Sequence, residues 1–316
     1  MTQQLELDTP TVNAPPPPRP LVPLMIGIMI LSCSAIFTRL SEQELTPLAT
    51  IFNRFWIASV VLGLLSGIRA WRQPAEEKGS ESLSWVEWGL LVVLAIAISA
   101  RAGSWAWSLT QTSVANSNLL HNMTPVFATL GGWIFLGHSF NRKYWLGLFL
   151  ATSGVVAIGL QDLNLTTEGF YGDLAALLSS VFYAVNFLII EKLRRKLSAT
   201  SIMTWSCVFV SLLLLPGVLI TGDQIWPTTP SVLAAILCLG VLSQVIGQGI
   251  LAYVLDRMKS GPVSLFLLLE PIITALLAWA IFGEYLSPSN WFAFIIVLLG
   301  LYLANVKSAT SLEDDS

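Results

Sequence analysis

The feature of this sequence that most constrains its fold is a series of long apolar runs without a charged residue. No charge occurs from Leu21 to Thr38 or from Ser231 to Leu255. An uncharged apolar run of about 18 residues or more is long enough to cross a bilayer as a helix. Charged residues make up 11% of the chain and its mean hydropathy is +0.72, whereas soluble domains carry about 25% charged residues. The sequence therefore predicts an all-α integral membrane protein.

Polar and turn-forming clusters divide the apolar part of the chain into ten predicted transmembrane helices. They cover residues 21–38, 47–68, 86–108, 113–136, 143–160, 170–190, 199–220, 231–255, 261–283 and 288–306. No charge marks the joint between spans three and four, and only the total length separates them, since ~20 residues already cross the hydrocarbon. We expect residues 1–20, which are rich in proline, to form a disordered tail, and residues 307–316 to form an acidic one.

The loops between these spans carry an asymmetric positive charge. With the N-terminus inside the cell, only Arg39 of the loop residues faces outward. The cytoplasmic side then holds Arg19, Arg69, Arg72, Lys78, Arg142, Lys143, Lys192, Arg194, Arg195, Lys196, Arg257, Lys259 and Lys307. Lysine and arginine collect in short cytoplasmic loops. We therefore expect a multi-pass protein of the cell membrane, either the inner or the plasma membrane, with both tails in the cytoplasm.

An internal repeat relates the two halves of the chain. Moving Leu119–Gly154 onto Leu265–Gly300 needs no gap. The identical pairs are Leu119 and Leu265, Pro125 and Pro271, Leu130 and Leu276, Trp133 and Trp279, Gly137 and Gly283, Trp145 and Trp291, and Gly154 and Gly300. Each half holds five predicted spans, an odd number, so the second half enters the membrane from the opposite side. The expected fold is thus two inverted five-helix repeats, at residues 21–160 and 170–306.

Five segments of the sequence form a recognisable set. They are the stretch from Asn122–Pro125 through Leu136-Gly137, its counterpart from Leu269–Pro271 through Phe282–Glu284, Arg54 within Phe52–Phe55, Gly172–Leu177 and Glu191–Lys196. Together they resemble the repeat of the EamA family in the drug/metabolite transporter superfamily. The resemblance implies ten spans, a central cavity lined by spans one to four and six to nine, and transport of small metabolites by alternating access. The sequence departs from the family pattern at His138, where the first repeat usually has the glutamate that Glu284 supplies in the second.

Arg54, Arg101 and Glu270 are charged residues at bilayer depth, and each is a candidate substrate-binding residue. A charge there costs about 2.5 to 3.5 kcal/mol on insertion scales and normally faces the protein interior. The guanidinium fork suits a carboxylate or phosphate, while Glu270 could pair with an arginine or carry a coupling proton. A static clamp between helices, or a salt bridge among the three, explains the same residues.

Span four carries a polar stripe of Asn118, His121 and Asn122, followed by Pro125 one turn later. This spacing places the residues on one helix face, which can line a cavity or simply bond neighbouring helices. His121 could be neutral and structural. Pro125 and Pro271 are predicted to kink corresponding helices of the two halves near the binding region.

Three further spans carry polar and aromatic residues at helical spacing. The additional candidates for substrate binding are Trp105 beside Arg101 on span three, Tyr183 and Asn186 on span six, and Gln244 and Gln248 on span eight. A pocket that combines amide, hydroxyl and aromatic groups suits a small polar organic molecule. Amino acids fit this description, and so do many other metabolites.

The leading functional interpretation is a secondary transporter, acting as an exporter or exchanger of a small polar metabolite such as an amino acid. Expected partners are the substrate, the lipid bilayer, a coupling proton and a second copy of the chain; no nucleic acid, metal or cofactor is expected. No GxxxxGK[ST] sequence is present for nucleotide use, and the absence of GxSxG and HExxH sequences disfavours an intramembrane enzyme. A membrane sensor or scaffold that transports nothing is the alternative.

Overall fold

The computed structural model describes residues 20–72, 83–112, 114–159, 169–282 and 288–305, and every regular element among them is a helix. Nearly all of both expected tails, the joint at Ser113 and the repeat positions Gly283 and Glu284 lie outside the described residues. The helices are α1 (Leu21–Ser32), α2 (Ser34–Ser41), α3 (Pro47–Arg72), α4 (Trp85–Gln111), α5 (Val114–His121), α6 (Thr124–Leu136), α7 (Arg142–Gly159), α8 (Phe170–Arg194), α9 (Ala199–Thr221), α10 (Pro230–Cys238), π1 (Leu239–Gln248, a π-helix), α11 (Gly249–Val254), α12 (Ser260–Phe266), α13 (Leu269–Phe282) and α14 (Pro288–Asn305).

Eight segments of the described chain are long and apolar enough to cross a membrane. They are Leu21–Ser41, Pro47–Ile68, Trp85–Gln111, Asn116–Leu136, Phe170–Arg194, Ala199–Thr221, Pro230–Val254 and Ser260–Leu277. Each coincides with one of the ten predicted spans. The segments predicted as spans five and ten are also helical, as α7 and α14 of 18 residues each.

Four of the predicted spans contain a break in the α-helical hydrogen-bond pattern. Span four breaks at Asn122 and Met123, and Pro125 follows in the first turn of α6. Proline has no N–H to donate to the carbonyl four residues earlier, and the hydroxyl of Thr124 donates to that carbonyl, His121, at 2.8 Å. Span nine breaks similarly before Pro271. Span one bends at Cys33 and span eight widens into π1, and no pattern in the sequence predicts either feature.

The helices of the first half pack against those of the second in matching pairs. Three contacts of one kind each have an equivalent in which the two halves are exchanged. The contact of α4 with α8 is equivalent to that of π1 with α1, the contact of α6 with α8 to that of α13 with α1, and the contact of α3 with π1 to that of α9 with α4. Three further contacts join spans that hold the same place in the two halves: α3 with α9, α6 with α12, and α7 with α14. Each of these contacts corresponds to itself when the halves are exchanged. The buried centre therefore lies between the halves and not within either one.

Glycines bring α7 and α14 into backbone contact. A Cβ atom built on Gly300 would lie 2.3 Å from the Ala151 nitrogen, and one on Gly147 would lie 2.5 Å from both the Gly300 oxygen and the Ala304 nitrogen. A Cβ on Gly154 would meet Val297 at 2.8 Å. Small residues at such crossings allow two helices to approach closely without a hydrophobic driving force between them.

Candidate functional site

Arg101 and Tyr183 form the first part of a half-buried polar cluster between the halves. The guanidinium carbon of Arg101, on α4, lies 4.4 Å from the centre of the Tyr183 ring, on α8. The ring face attracts a cation in this position. The Nε of Arg101 is buried and has no hydrogen-bond partner among the described residues. The cation is therefore held against an aromatic ring while part of its hydrogen-bonding capacity remains unused.

His121 and Trp105 extend this cluster. The His121 ring stacks on Tyr183 with centres 5.7 Å apart, and the Trp105 ring lies 5.8 Å from His121. His121 Nδ1 lies 2.8 Å from the Ser179 hydroxyl. The indole N–H of Trp105 is buried without a hydrogen-bond partner in the described chain, which is a costly arrangement for a donor unless a ligand or water completes it.

Arg54 lies on the other side of the cluster, against the π-helix. Its Nε donates to Gln244 Oε1 at 2.8 Å, and Gln244 Nε2 lies 3.8 Å from Cys207 Sγ. Gln244 is 4% exposed. π-helices are rare and frequently occur at functional sites, and π1 presents Gln244 at such a position.

Glu270 contributes the one carboxylate of this cluster among the described residues. It interacts electrostatically with both Arg54 and Arg101, yet no ion pair joins it to either guanidinium in the described chain. The Ser32 hydroxyl donates to the backbone carbonyl of Glu270 at 3.4 Å, so its position before Pro271 is tied to the bend in span one. Two guanidinium groups and one carboxylate leave the cluster with an excess of positive charge.

The other predicted site residues divide into two groups. Gln248 interacts with the side chain of Tyr183 and so lies beside the cluster. Asn186, one turn after Tyr183 on α8, is buried with its Oδ1 unpartnered among the described residues. Asn118 is exposed, and Asn122 donates to its backbone carbonyl at 2.8 Å. None of the described hydrogen bonds links these two asparagines to the cluster.

Two members of the cluster were not predicted from the sequence. Ser179 lies one turn before Tyr183, so the helical spacing on span six could have revealed it. Cys207 is buried beside Gln244, but its span carries no charge or amide that would mark it as a site residue. No group of three or more His, Cys, Asp or Glu residues that could hold a metal occurs in the described ranges.

A polar network closes the end of the molecule at which α8 terminates. His138 Nε2 donates to Glu191 Oε1 at 2.8 Å, and the backbone N–H of Ser260 donates to Glu191 Oε2 at 2.7 Å. His138 is 6% exposed, and its Nδ1 has no partner among the described residues. Burial holds the pKa of His138 below its ordinary value, although the Glu191 carboxylate acts in the opposite direction.

A second ion pair at the same end also links the halves. Lys196, which follows α8, lies 2.8 Å from Glu87 in the first turn of α4. Within the second half, Arg194 pairs with Asp256 at 3.1 Å. We refer to the end that carries these pairs as the basic end, because Lys192, Arg195, Arg257 and Lys259 lie there as well.

A different network joins the halves at the opposite end. Glu44 accepts hydrogen bonds from the hydroxyl and backbone N–H of Thr228, which lower its pKa to about 2. Asp173, near the start of α8, accepts from the Thr112 hydroxyl at 2.7 Å. Asp173 and Glu191 are about 27 Å apart along α8, at 1.5 Å per residue. The central cluster therefore has a polar closure on either side.

Comparison with known proteins identifies the relatives of this chain. The EamA-like transporter family matches residues 21–160 and 170–306. The chain belongs to the EamA-like transporter family. An uncharacterized transporter of Archaeoglobus fulgidus is 27% identical over 294 residues, which cover 90% of this chain and 96% of that protein. This EamA-like protein is accordingly a multi-pass membrane transporter.

Other relatives of this EamA-like protein agree with that assignment. An uncharacterized transporter of Synechocystis is 24% identical over 277 residues, covering 82% of this chain and 83% of that protein. The uncharacterized transporter YetK of Bacillus subtilis is 22% identical over 297 residues, covering 90% and 86%. One solved crystal structure superposes with a TM-score of 0.76 at 17% identity, covering 91% of this chain and 96% of the other, and shows that the fold is shared.

Proposed function

We propose that this protein is a secondary transporter of a small polar metabolite such as an amino acid, which it carries by alternating access as an exporter or exchanger. The observation that carries the proposal is the half-buried cluster of Arg54, Arg101 and Glu270. The three charges lie between the halves, close enough to interact, without neutralising one another as ion pairs.

The chemistry of the cluster favours a zwitterionic ligand. Guanidinium groups bind a carboxylate through paired hydrogen bonds, and Arg101 Nε and Trp105 Nε1 are buried donors without partners among the described residues. Glu270 can accept from an ammonium group. Protonation of Glu270 would also remove the one negative charge, so this carboxylate is the natural place for a coupling proton.

The arrangement of helices supports two inverted repeats of five spans. The contact pairs between the halves are unchanged when the spans of one half are exchanged for those of the other. The breaks at Asn122-Met123 and at Leu267-Leu268 lie within one residue of matching positions, each shortly before a proline. Helices α7 and α14 then correspond to spans five and ten, which pack on each other at the periphery.

The positive charges support an orientation with both tails in the cytoplasm. Lysine and arginine are favoured in short cytoplasmic loops, and the basic end collects them. Alternating access then requires the network at His138 and Glu191 to open toward the cytoplasm, and the contacts of Glu44 and Asp173 to open toward the outside, each while the other stays closed.

Reconstitution into liposomes tests the proposal. We would measure uptake and counterflow of labelled amino acids with wild type, Arg54→Gln, Arg101→Gln and Glu270→Gln. Loss of one charged hydrogen bond, worth about 1.5 to 3 kcal/mol, lowers saturable flux by about tenfold or more. Arg142→Gln, at an exposed helix start, is the matched control and should transport normally. Unchanged flux in all three cluster variants, with folded protein in each, would contradict the assignment.

A further inference from the structure

An apolar groove opens on the side of the molecule near the basic end. It has a volume of about 550 Å³ and is lined by residues of α3, α9, π1 and α11, among them Leu62, Leu65, Met203, Val245 and Ile246. This volume lies within the range of about 300 to 1,000 Å³ that is usual for small-molecule sites. Leu65 and Ile246 are exposed, so the groove faces the surroundings of the bundle, which in a membrane are acyl chains.

A smaller polar pocket of about 200 Å³ is formed by the residues that follow Tyr253 of the groove and by the end of α8. It is lined by Glu191, Arg195, Leu255, Asp256, Arg257, Met258 and Lys259. Its two carboxylates are already engaged. Glu191 accepts from His138 and Ser260, and Asp256 pairs with Arg194. Arg195, Arg257 and Lys259 form no ion pair among the described residues. The charge that remains available in the pocket is therefore positive.

Arg257 connects the two cavities. Its guanidinium carbon lies 4.8 Å from the centre of the Tyr253 ring, and Tyr253 lines the apolar groove while Arg257 lines the basic pocket. A ligand that fills both must have an anionic head and an apolar tail. Arginine suits the phosphate oxygens of such a head, and basic pockets between membrane helices bind anionic lipid head groups.

We propose that this composite site binds one anionic glycerophospholipid, with its phosphate in the pocket of Arg195, Arg257 and Lys259 and an acyl chain in the groove. A soluble phosphate would use the pocket alone, and a neutral lipid would use the groove without the charge. The groove combines α3 of the first half with α9, π1 and α11 of the second. The lipid therefore contacts both halves of the bundle, at a place separate from the central cluster.

Two substitutions test the two parts of the site. A Cβ on Gly249 meets nothing within 4 Å, and Gly249 lines the groove, so Gly249→Leu adds an apolar side chain to the groove from a position where its Cβ is free. Gly89→Leu is the control, since Gly89 has the same open space on α4 and does not line the groove. Arg257→Gln removes the connecting cation, and Arg142→Gln is its exposed control.

Binding is measured by native mass spectrometry of the full-length protein in detergent, titrated with phosphatidylglycerol, phosphatidylcholine, glycerol 3-phosphate or inorganic phosphate. We expect saturable binding of one phosphatidylglycerol. Gly249→Leu should weaken it about tenfold, the equivalent of two acyl methylenes withdrawn from apolar contact. Arg257→Gln should weaken it about fivefold, and both controls should stay within about twofold of wild type.

Three results would overturn the proposal. The first is binding of phosphatidylcholine as tight as that of phosphatidylglycerol. The second is wild-type binding by Gly249→Leu, and the third is binding of glycerol 3-phosphate or inorganic phosphate as tight as that of the lipid. Thermal unfolding of each variant without added lipid shows that it is folded, so that weaker binding is not attributed to lost structure.

Discussion

Replacement of Gly300 by alanine should force α7 and α14 apart. A Cβ atom at this position would lie 2.3 Å from the Ala151 nitrogen and 2.7 Å from the Ala151 Cα and Cβ. The nearest atoms belong to the backbone, so no side-chain rotation relieves the contact. Carbon atoms pack at about 3.5 to 4.0 Å, and the helices would have to separate locally by about 1 Å.

The expected loss of stability follows from two opposing contributions. Overpacking of a tight interface costs about 1 to 3 kcal/mol, whereas alanine gains up to about 1 kcal/mol over glycine in helix propensity. Gly63→Ala is the matched control, because a Cβ on Gly63 meets nothing within 4 Å and only the gain applies. The two variants should therefore differ by about 2 kcal/mol, which corresponds to about 3 °C in melting temperature for a chain of 316 residues.

Thermal unfolding of the purified protein in detergent, followed by size-exclusion chromatography, measures this difference. The distances also predict an order. Gly300→Ala should be the least stable, Gly147→Ala and then Gly154→Ala should follow, and Gly63→Ala should equal or exceed wild type. If Gly300→Ala melted at the same temperature as Gly63→Ala, the backbones of α7 and α14 would not be in contact as described.

Three further predictions concern pH and the buried hydrogen bonds. The pKa of His138 is lowered in the folded protein. Its contribution to stability is therefore complete above the ordinary pKa of about 6.5 and is lost as the pH falls below that value. Melting temperatures measured between pH 7.5 and 5 should show this loss in wild type and a weaker loss in His138→Gln. Ser179→Ala removes the partner of His121 Nδ1 and should lower the free energy of unfolding by about 1 to 3 kcal/mol. Equal melting temperatures of the variant and wild type would show that this bond does not stabilise the fold. Gln244→Leu leaves Arg54 Nε without its acceptor and should cost about 1.5 to 3 kcal/mol, with Gln244→Glu retaining stability; chemical or thermal unfolding of both variants checks this difference.

Helices were predictable where apolar runs end in polar clusters. Span two was predicted at 47–68 and is found as Pro47–Ile68, because the charged residues that follow cannot enter the hydrocarbon cheaply. The breaks within the helices were harder to predict. Prolines indicated two of them, but the bend at Cys33 and the π-helix depend on packing against other helices, which a single-sequence pattern does not record.

The sequence predicted which residue types belong to the site, but it did not predict which residues contact one another there. Burial of a charge in an apolar span marks Arg54, Arg101 and Glu270 as inward-facing. Their actual neighbours come from distant parts of the chain: Arg54 bonds Gln244, and Arg101 lies over Tyr183. His138 departs from the family pattern, yet its bond to Glu191 joins the loop after α6 to the end of α8, which no spacing rule connects.

The contact between α7 and α14 also limits how the protein can move. Two helices that touch through Gly147, Gly154 and Gly300 cannot slide past each other, since any shift along the axis brings larger residues into the crossing. One helix of this pair comes from each half. If the halves rock to expose the central cluster to one side and then the other, they must pivot about this line, and the largest displacements fall at the helix ends that lie farthest from it.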